Sequence, residues 1–332
     1  MAPETAVSAV VGRQRELELV AASLDAGCHV LLEGPPGTGK TTLLSAIASA
    51  SGRSVARVEG SAELTPGRLA GQHDPALALR LGYVDEAFVD GPLLQALRGG
   101  LLLYVEELNR VPEETLNLLV SATSERAVEI PRVGRVKGAP GFALVAAMNP
   151  YDAIGTGRIP AAIYDRACRV RMDYQSEEDE RVIVWLRAAG SAPLADDAAS
   201  RWLVRAAVAA TRASREHPEL KSGASVRGAI DLVRIAAQLG RRRALPPQHP
   251  TVTLDAALAA LSGRIQPLDG LSCPPEEIVE ELWRDAFCGA TAGAPGADPG
   301  NLDSPEEAPS GGVDGVEATP GGVGKGPAPA QA

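Results

Sequence analysis

Gly34-Pro35-Pro36-Gly37-Thr38-Gly39-Lys40-Thr41 sets narrower limits on the fold than any other stretch of this 332-residue chain. The segment satisfies G-x-x-x-x-G-K-[ST], and its context satisfies what that spacing requires. An apolar run, His29-Val30-Leu31-Leu32-Glu33, precedes it, and a helical pattern from Thr42 to Ala48 follows. Glycines in a strand-to-helix turn let backbone N–H groups converge on phosphate oxygens, and the helix N-terminus adds its dipole. Lys40 supplies charge to β- and γ-phosphates, the Thr41 hydroxyl offers a ligand to Mg²⁺, and Thr42 opens the helix beneath. The bland alternative is a glycine-rich turn that binds nothing. The flanking strand and helix argue against it.

The rest of the chain extends the pattern. Further apolar runs lie at 54–58, 101–105 and 142–148, alternating with helical text up to about residue 172, so we expect a mostly parallel sheet with crossover helices. Beyond 175 every segment reads as helix. Ser176 caps the first, ending at Gly190; others run 196–216, 225–240, 253–263 and from Pro274-Pro275 to before Gly289. The expected class is α/β: an αβα sandwich over 1–174, an all-α lid over 175–288 and a disordered tail over 289–332. That tail holds 11 Gly, 7 Pro, six acids and one Lys, a net −5, half of the chain's −10. Such text buries too little apolar surface to offset its ordering entropy. It reads as a solubilising tail, or else a partner-binding one.

Composition removes several function classes. An acidic chain with 3% aromatics is poorly suited to gripping nucleic acid. The run Arg241-Arg242-Arg243 reads first as a solvated helix end. Four scattered cysteines without a C-x-x-C pair suit neither a zinc site nor a disulfide framework and point to a reducing compartment, the cytoplasm. No stretch approaches 18 apolar residues, and the first residues lack a leader's apolar core, so no membrane insertion is expected. His73, His217 and His249 read as ordinary polar residues, and Trp185, Trp202 and Trp283 as lid core.

Two strand ends add chemistry. Leu101 to Val105 runs into Glu106-Glu107. Beside the phosphate loop, Glu106 can hold the Mg²⁺ shell and Glu107 can polarise an attacking water. The alternative is an acidic helix start, since Pro112-Glu113-Glu114 soon opens a helix. Phe142 to Met148 ends at Asn149, placed to bond the water or γ-phosphate, or else part of an Asn-Pro turn.

On these residues the chain resembles the MoxR family of AAA+ ATPases, over about residues 8–285. The resemblance rests on Val10-Val11-Gly12-Arg13, on His29 to Thr41, on Glu107-Leu108-Asn109-Arg110, and on Arg212, His217-Pro218 and Gly223 to Arg227. It implies that Val11 and Gly12 cover the adenine, Asn149 is sensor 1 and Arg227 is sensor 2. Asp165-Arg166-Ala167 resembles the finger motif, which makes Arg166 the arginine supplied to a neighbouring subunit; alone, Arg166 reads equally as a surface ion pair with Asp165. Residues 126–137 resemble the hairpin before sensor 1, which their alternation also suggests. The resemblance further implies ATP and Mg²⁺, a homo-oligomeric hexameric ring, and a partner carrying a von Willebrand factor A domain, the ring remodelling or maturing that partner's complex. Three departures bear on rate: Glu106 stands where the family has Asp, Ala167 replaces a Phe, and Val226 replaces a Pro. A slow ATPase or a nucleotide-gated scaffold is the second expectation. Tyr83 and Phe88 are taken, from position alone, as a substrate-contacting loop.

Overall fold

The structure, a computed structural model, describes residues 10–150, 159–190 and 194–289. The tail expected to be disordered lies, beyond Gly289, outside the described residues. The central sheet contains β1 (His29–Glu33), β2 (Val55–Glu59), β3 (Leu102–Glu106), β4 (Ala143–Met148) and β5 (Ala167–Arg171). Their order is β2-β3-β4-β1-β5, and every pairing is parallel. Five of the helices of this part are α1 (Gln14–Asp25), α2 (Lys40–Ser51), α3 (Pro92–Gly99), α4 (Glu113–Glu125) and α5 (Ala161–Arg166); two short ones, Pro66–Ala70 and Pro75–Leu81, lie between α2 and α3.

Because the sheet is covered on both faces, its inner strands are apolar at every position rather than at alternate ones. Leu31, Leu103, Val105, Leu144 and Ala146 face α3 and α4, meeting Leu93, Leu94, Leu97, Leu116 and Leu119. Val30, Leu32, Leu102, Tyr104, Val145 and Ala147 face α1 and α2, meeting Leu17, Val20, Leu43, Leu44 and Ile47. Each such Leu, Ile or Val side chain contributes about 1.5–3 kcal/mol by leaving water. The four anticipated strands appear within one residue of their expected bounds.

The fifth strand, β5, was not anticipated. Its sequence, Ala-Cys-Arg-Val-Arg, buries only Val170. An edge strand has a solvent side, so it needs no apolar run. The hairpin expected over 126–137 pairs Ala127–Ile130 with Gly134–Lys137. A second small pair, Gly71–His73 with Phe88–Asp90, went unforeseen. There His73 stacks edge-on against both Tyr83 and Phe88, each centroid 5.1 Å away. Phe88 is thus turned inward and not free to grip a substrate, whereas Tyr83 stays exposed beneath the Arg132 guanidinium.

The helical part comprises α6 (Glu177–Ala189), α7 (Ala198–Glu216), α8 (Val226–Arg243), α9 (Pro250–Leu261) and α10 (Pro275–Trp283). The Ser176 side-chain oxygen caps α6, as anticipated, and that of Asp197 caps α7. Trp202, Leu203, Ala207, Leu232, Val233, Ala236 and Ala257 form a core of their own, with Trp185 and Trp283 half-buried against it. α8 runs three residues past Gly240, which packs on the backbone of Leu245–Pro247 instead of ending the helix. Arg243 therefore lies on the helix and pairs with Asp255 of α9. α9 starts at Pro250, earlier than expected, because His249 supplies its cap. Among the described residues no helix is long and apolar enough to cross a membrane.

Candidate active site

The C-terminal ends of β1, β3 and β4 lie side by side. The turn after β1 therefore meets Glu106-Glu107 after β3 and Asn149 after β4. Gly34 N–H donates to the Met148 carbonyl at 3.2 Å, joining the loop to the strand that ends in Asn149. Gly37 and Gly39 take φ of +79° and +88°, values costly for any side-chain-bearing residue. A β-carbon on Gly37 would stand 2.5 Å from the Ser225 β-carbon, so the loop abuts the start of α8. Thr38 is buried and its hydroxyl donates to the Pro35 carbonyl at 3.0 Å, while Pro36 is exposed at the tip.

Lys40 Nζ donates to the Gly34 and Pro35 carbonyls at 2.7 and 2.9 Å, so the ammonium is held inside its own loop. Burial, then the nearby Arg227 guanidinium, push its pKa down to about 8, against the smaller pull of Glu106 and Glu107. Arg227, in the first turn of α8, lines the cavity beside this loop. The Thr41 hydroxyl donates directly to the Glu106 carboxylate and lies 3.2 Å from the Tyr104 hydroxyl. Burial holds Tyr104 far above the ordinary phenol range. A hydroxyl and a carboxylate form the all-oxygen donor set that a hard divalent cation takes.

Glu107 turns the chain with φ 49° and ψ 46°. Its Oε2 is 3.0 Å from Arg110 Nε, and both side chains are about half exposed. Asn109 is buried and its amide donates to the Asn149 carbonyl at 3.3 Å, locking this turn to the end of β4.

A cavity of about 440 Å³ continues from the loop toward the helical part. Val11, Gly37, Gly39 and Thr42 line one side, and Ile183, Leu186, Val226, Arg227 and Ile230 the other. An apolar cleft ending in converging cations has the shape and charge a nucleotide requires. Gly12 lies against the Asp179 carboxylate of α6. Arg13 is buried, and its guanidinium donates to the Thr38 carbonyl at 3.2 Å and to the Asp173 carbonyl. The opening segment is thereby tied both to the phosphate loop and to the joint before α6.

A family model for the AAA domain of the dynein-related subfamily matches residues 29–167. These residues carry an AAA-type ATP-hydrolase domain. An uncharacterised protein of Staphylococcus haemolyticus is 28% identical over 219 residues, 65% of this chain and 81% of that protein. One from Staphylococcus aureus is 32% identical over 155 residues, 46% of this chain and 58% of that protein. Among solved structures, the RuvB Holliday junction branch migration motor of Thermotoga maritima aligns at a TM-score of 0.46 and 19% identity, over 74% of this chain and 68% of that one.

One residue of the expected set lies apart. Arg166 ends α5 at the opposite end of the sheet of the AAA domain. The next residue, Ala167, pairs with His29 at the start of β1, whereas the phosphate loop leaves the other end of that strand. Arg166 bonds to the Ser124 hydroxyl and, at 2.9 Å, to the Ala162 carbonyl, and lies 3.5 Å from Asp165.

Sequence reasoning quoted Arg13 and Arg110 within motifs but gave them no role, and missed Tyr104, Glu180 and Arg215 as parts of this arrangement. Glu180 looks like one more acid in a solvated first turn, yet it is 1% exposed between Arg215 at 2.8 Å and Arg212 at 3.3 Å. Arg212 also donates to the Gln175 carbonyl, and Arg215 to the Ala224 carbonyl. The acid therefore ties the joint at 174–176 to the residues that open α8 and carry Arg227. Its place opposite two arginines 32 and 35 positions on is a tertiary fact that a local pattern cannot show.

Proposed function

We propose that this chain is a MoxR-type ATPase that assembles as a ring and uses hydrolysis to remodel or activate a partner protein complex, the partner bearing a von Willebrand factor A domain. The observation that carries the ring is the place of Arg166. The five residues of β1 separate it from the phosphate loop, about 16 Å at strand rise. A guanidinium so placed serves a neighbour's nucleotide rather than its own. The acidic balance of the chain fits a protein client better than a nucleic acid.

In the proposed reaction Lys40 exchanges its two loop carbonyls for the β- and γ-phosphate oxygens. Arg227 closes over the same phosphates from the lid. Thr41 and Glu106 would hold Mg²⁺, which supplies charge neutralisation to the phosphates when bound. Glu107 leaves Arg110 and takes the proton of a water oriented by Asn149, as that water attacks phosphorus and the bond to the leaving diphosphate oxygen breaks. Arg166 of the next subunit meets the charge spread over the equatorial oxygens, a role worth about 10³–10⁵ in rate where a finger is supplied in related systems.

The test is a mixing experiment with Glu107→Gln and Arg166→Ala chains. Each alone should bind ATP and hydrolyse little. Mixed rings should regain activity, because some interfaces join an intact Glu107 to an intact Arg166. Wild-type rates from Arg166→Ala alone would defeat the assignment. The Glu107–Arg110 pair favours a second reading, a nucleotide-gated scaffold with slow turnover. Tight ATP binding with negligible hydrolysis at every protein concentration and with every partner tried would select it.

A further inference from the structure

A second cavity, of about 500 Å³, opens at the far end of the sheet, and Cys28, Cys168 and Arg166 share its wall. The two cysteines come from neighbouring strands. Cys28 immediately precedes β1 and Cys168 is the second residue of β5, with His29 beside Ala167 and Val30 beside Cys168. Side chains alternate along a strand, so Cys28 shares the sheet face of Val30, as does Cys168. Neither cysteine is in a disulfide. Cys168 is exposed and Cys28 half-buried behind it.

We propose that Cys28 and Cys168 form an oxidative modification site, a dithiol that a peroxide closes to an intrachain disulfide beside the helix end carrying Arg166. Only the effect on turnover rests on the finger reading; the disulfide does not. The Cys168 sulfur, as thiolate, attacks a peroxide oxygen; the O–O bond breaks and the departing hydroxide is protonated to water. The resulting sulfenic acid is attacked by the Cys28 sulfur. The S–S bond forms, the S–O bond breaks, and a second water leaves with the Cys28 proton. Two thiols are oxidised and one peroxide is reduced to two waters. The neighbouring Cys168 pushes the Cys28 thiol up. The new bond would tie the start of β5, two residues from Arg166, to the turn before β1.

The experiment exposes the full chain to hydrogen peroxide, alkylates remaining thiols, and maps peptides without reduction by mass spectrometry, with ATPase rates followed in parallel. Cys28 and Cys168 peptides should appear joined, with loss of the two thiol hydrogens, and separate again in dithiothreitol. Cys168→Ser should remove the joined peptide, leaving Cys273 and Cys288 as internal comparators. Wild-type ATPase should fall on oxidation and recover on reduction, while Cys28→Ser and Cys168→Ser keep their rates. Sulfinic acid at Cys168, or Cys168 linked only to a second chain, overturns the proposal. A joined peptide with an unchanged rate overturns the coupling to Arg166. An untreated chain without ATPase activity counts against the ring reading alone, because the peptide map is read without it.

Discussion

Lys40 is buried in its own loop, and that burial, with the nearby Arg227 guanidinium, brings its pKa down to about 8. The ordinary value is about 10.4, so between about pH 8 and 10.4 the folded chain binds fewer protons at this group than the unfolded one. Its contribution to stability therefore rises with pH across that window. Nucleotide binding has the opposite sign, because a triphosphate favours the cation. Affinity should fall as pH rises through about 8, and calorimetry in buffers of differing ionisation enthalpy should show proton uptake there and little near neutrality. A binding step without proton exchange at the higher pH would refute this. At Glu107, substitution by Gln keeps the shape and removes the base, so hydrolysis should drop by about 10²–10⁴ with ATP still bound, read by single-turnover assay. Arg110→Ala should act the other way. An exposed pair is worth about 0.2–1 kcal/mol, so releasing Glu107 should raise kcat by at most about fivefold and leave KM unchanged.

At the scale of elements, the Glu180 network binds the joint at 174–176 to the first turn of α8. Glu180→Ala leaves two arginines facing an empty buried position, and breaking such a pair costs about 3–5 kcal/mol. Chemical denaturation should register that loss, and Arg227 should lose its aim, weakening ATP binding beyond what stability alone explains. Trp202→Ala tests the lid core at a distance from the cleft. About 3–5 kcal/mol should go, with the sheet's own packing unaffected. What sequence made legible at this scale followed one rule. Elements buried on both faces or along a full stripe announced themselves: β1, β3, β4, α6 and α7 lie within one or two residues of expectation. β5 and the pair Gly71–His73 with Phe88–Asp90 did not, because β5 buries only Val170 and the short ribbon is held by backbone bonds and a few contacts rather than by an apolar period.

For the whole molecule, the prediction concerns assembly. If Arg166 serves a neighbour, the Mg-ATPase rate per chain should climb with protein concentration, in step with the assembled fraction seen by sedimentation. Arg166→Ala should flatten that curve without lowering nucleotide affinity. The sequence alone determined that a phosphate loop ends a buried strand, that Glu106, Glu107 and Asn149 end others, and that a helical part follows. It could do so because strand burial and backbone turns impose local residue types at fixed spacing. Only the tertiary structure decided which ends meet. The order β2-β3-β4-β1-β5 brings the carboxylates to the loop and sends Arg166 to the far end of β1. Glu180 between two arginines, Arg13 on the Thr38 carbonyl and Cys28 against Cys168 join residues tens to more than a hundred positions apart. Such pairings cost loop-closure entropy and are made good by the packing of the whole sheet and lid, so no local stretch of text carries them.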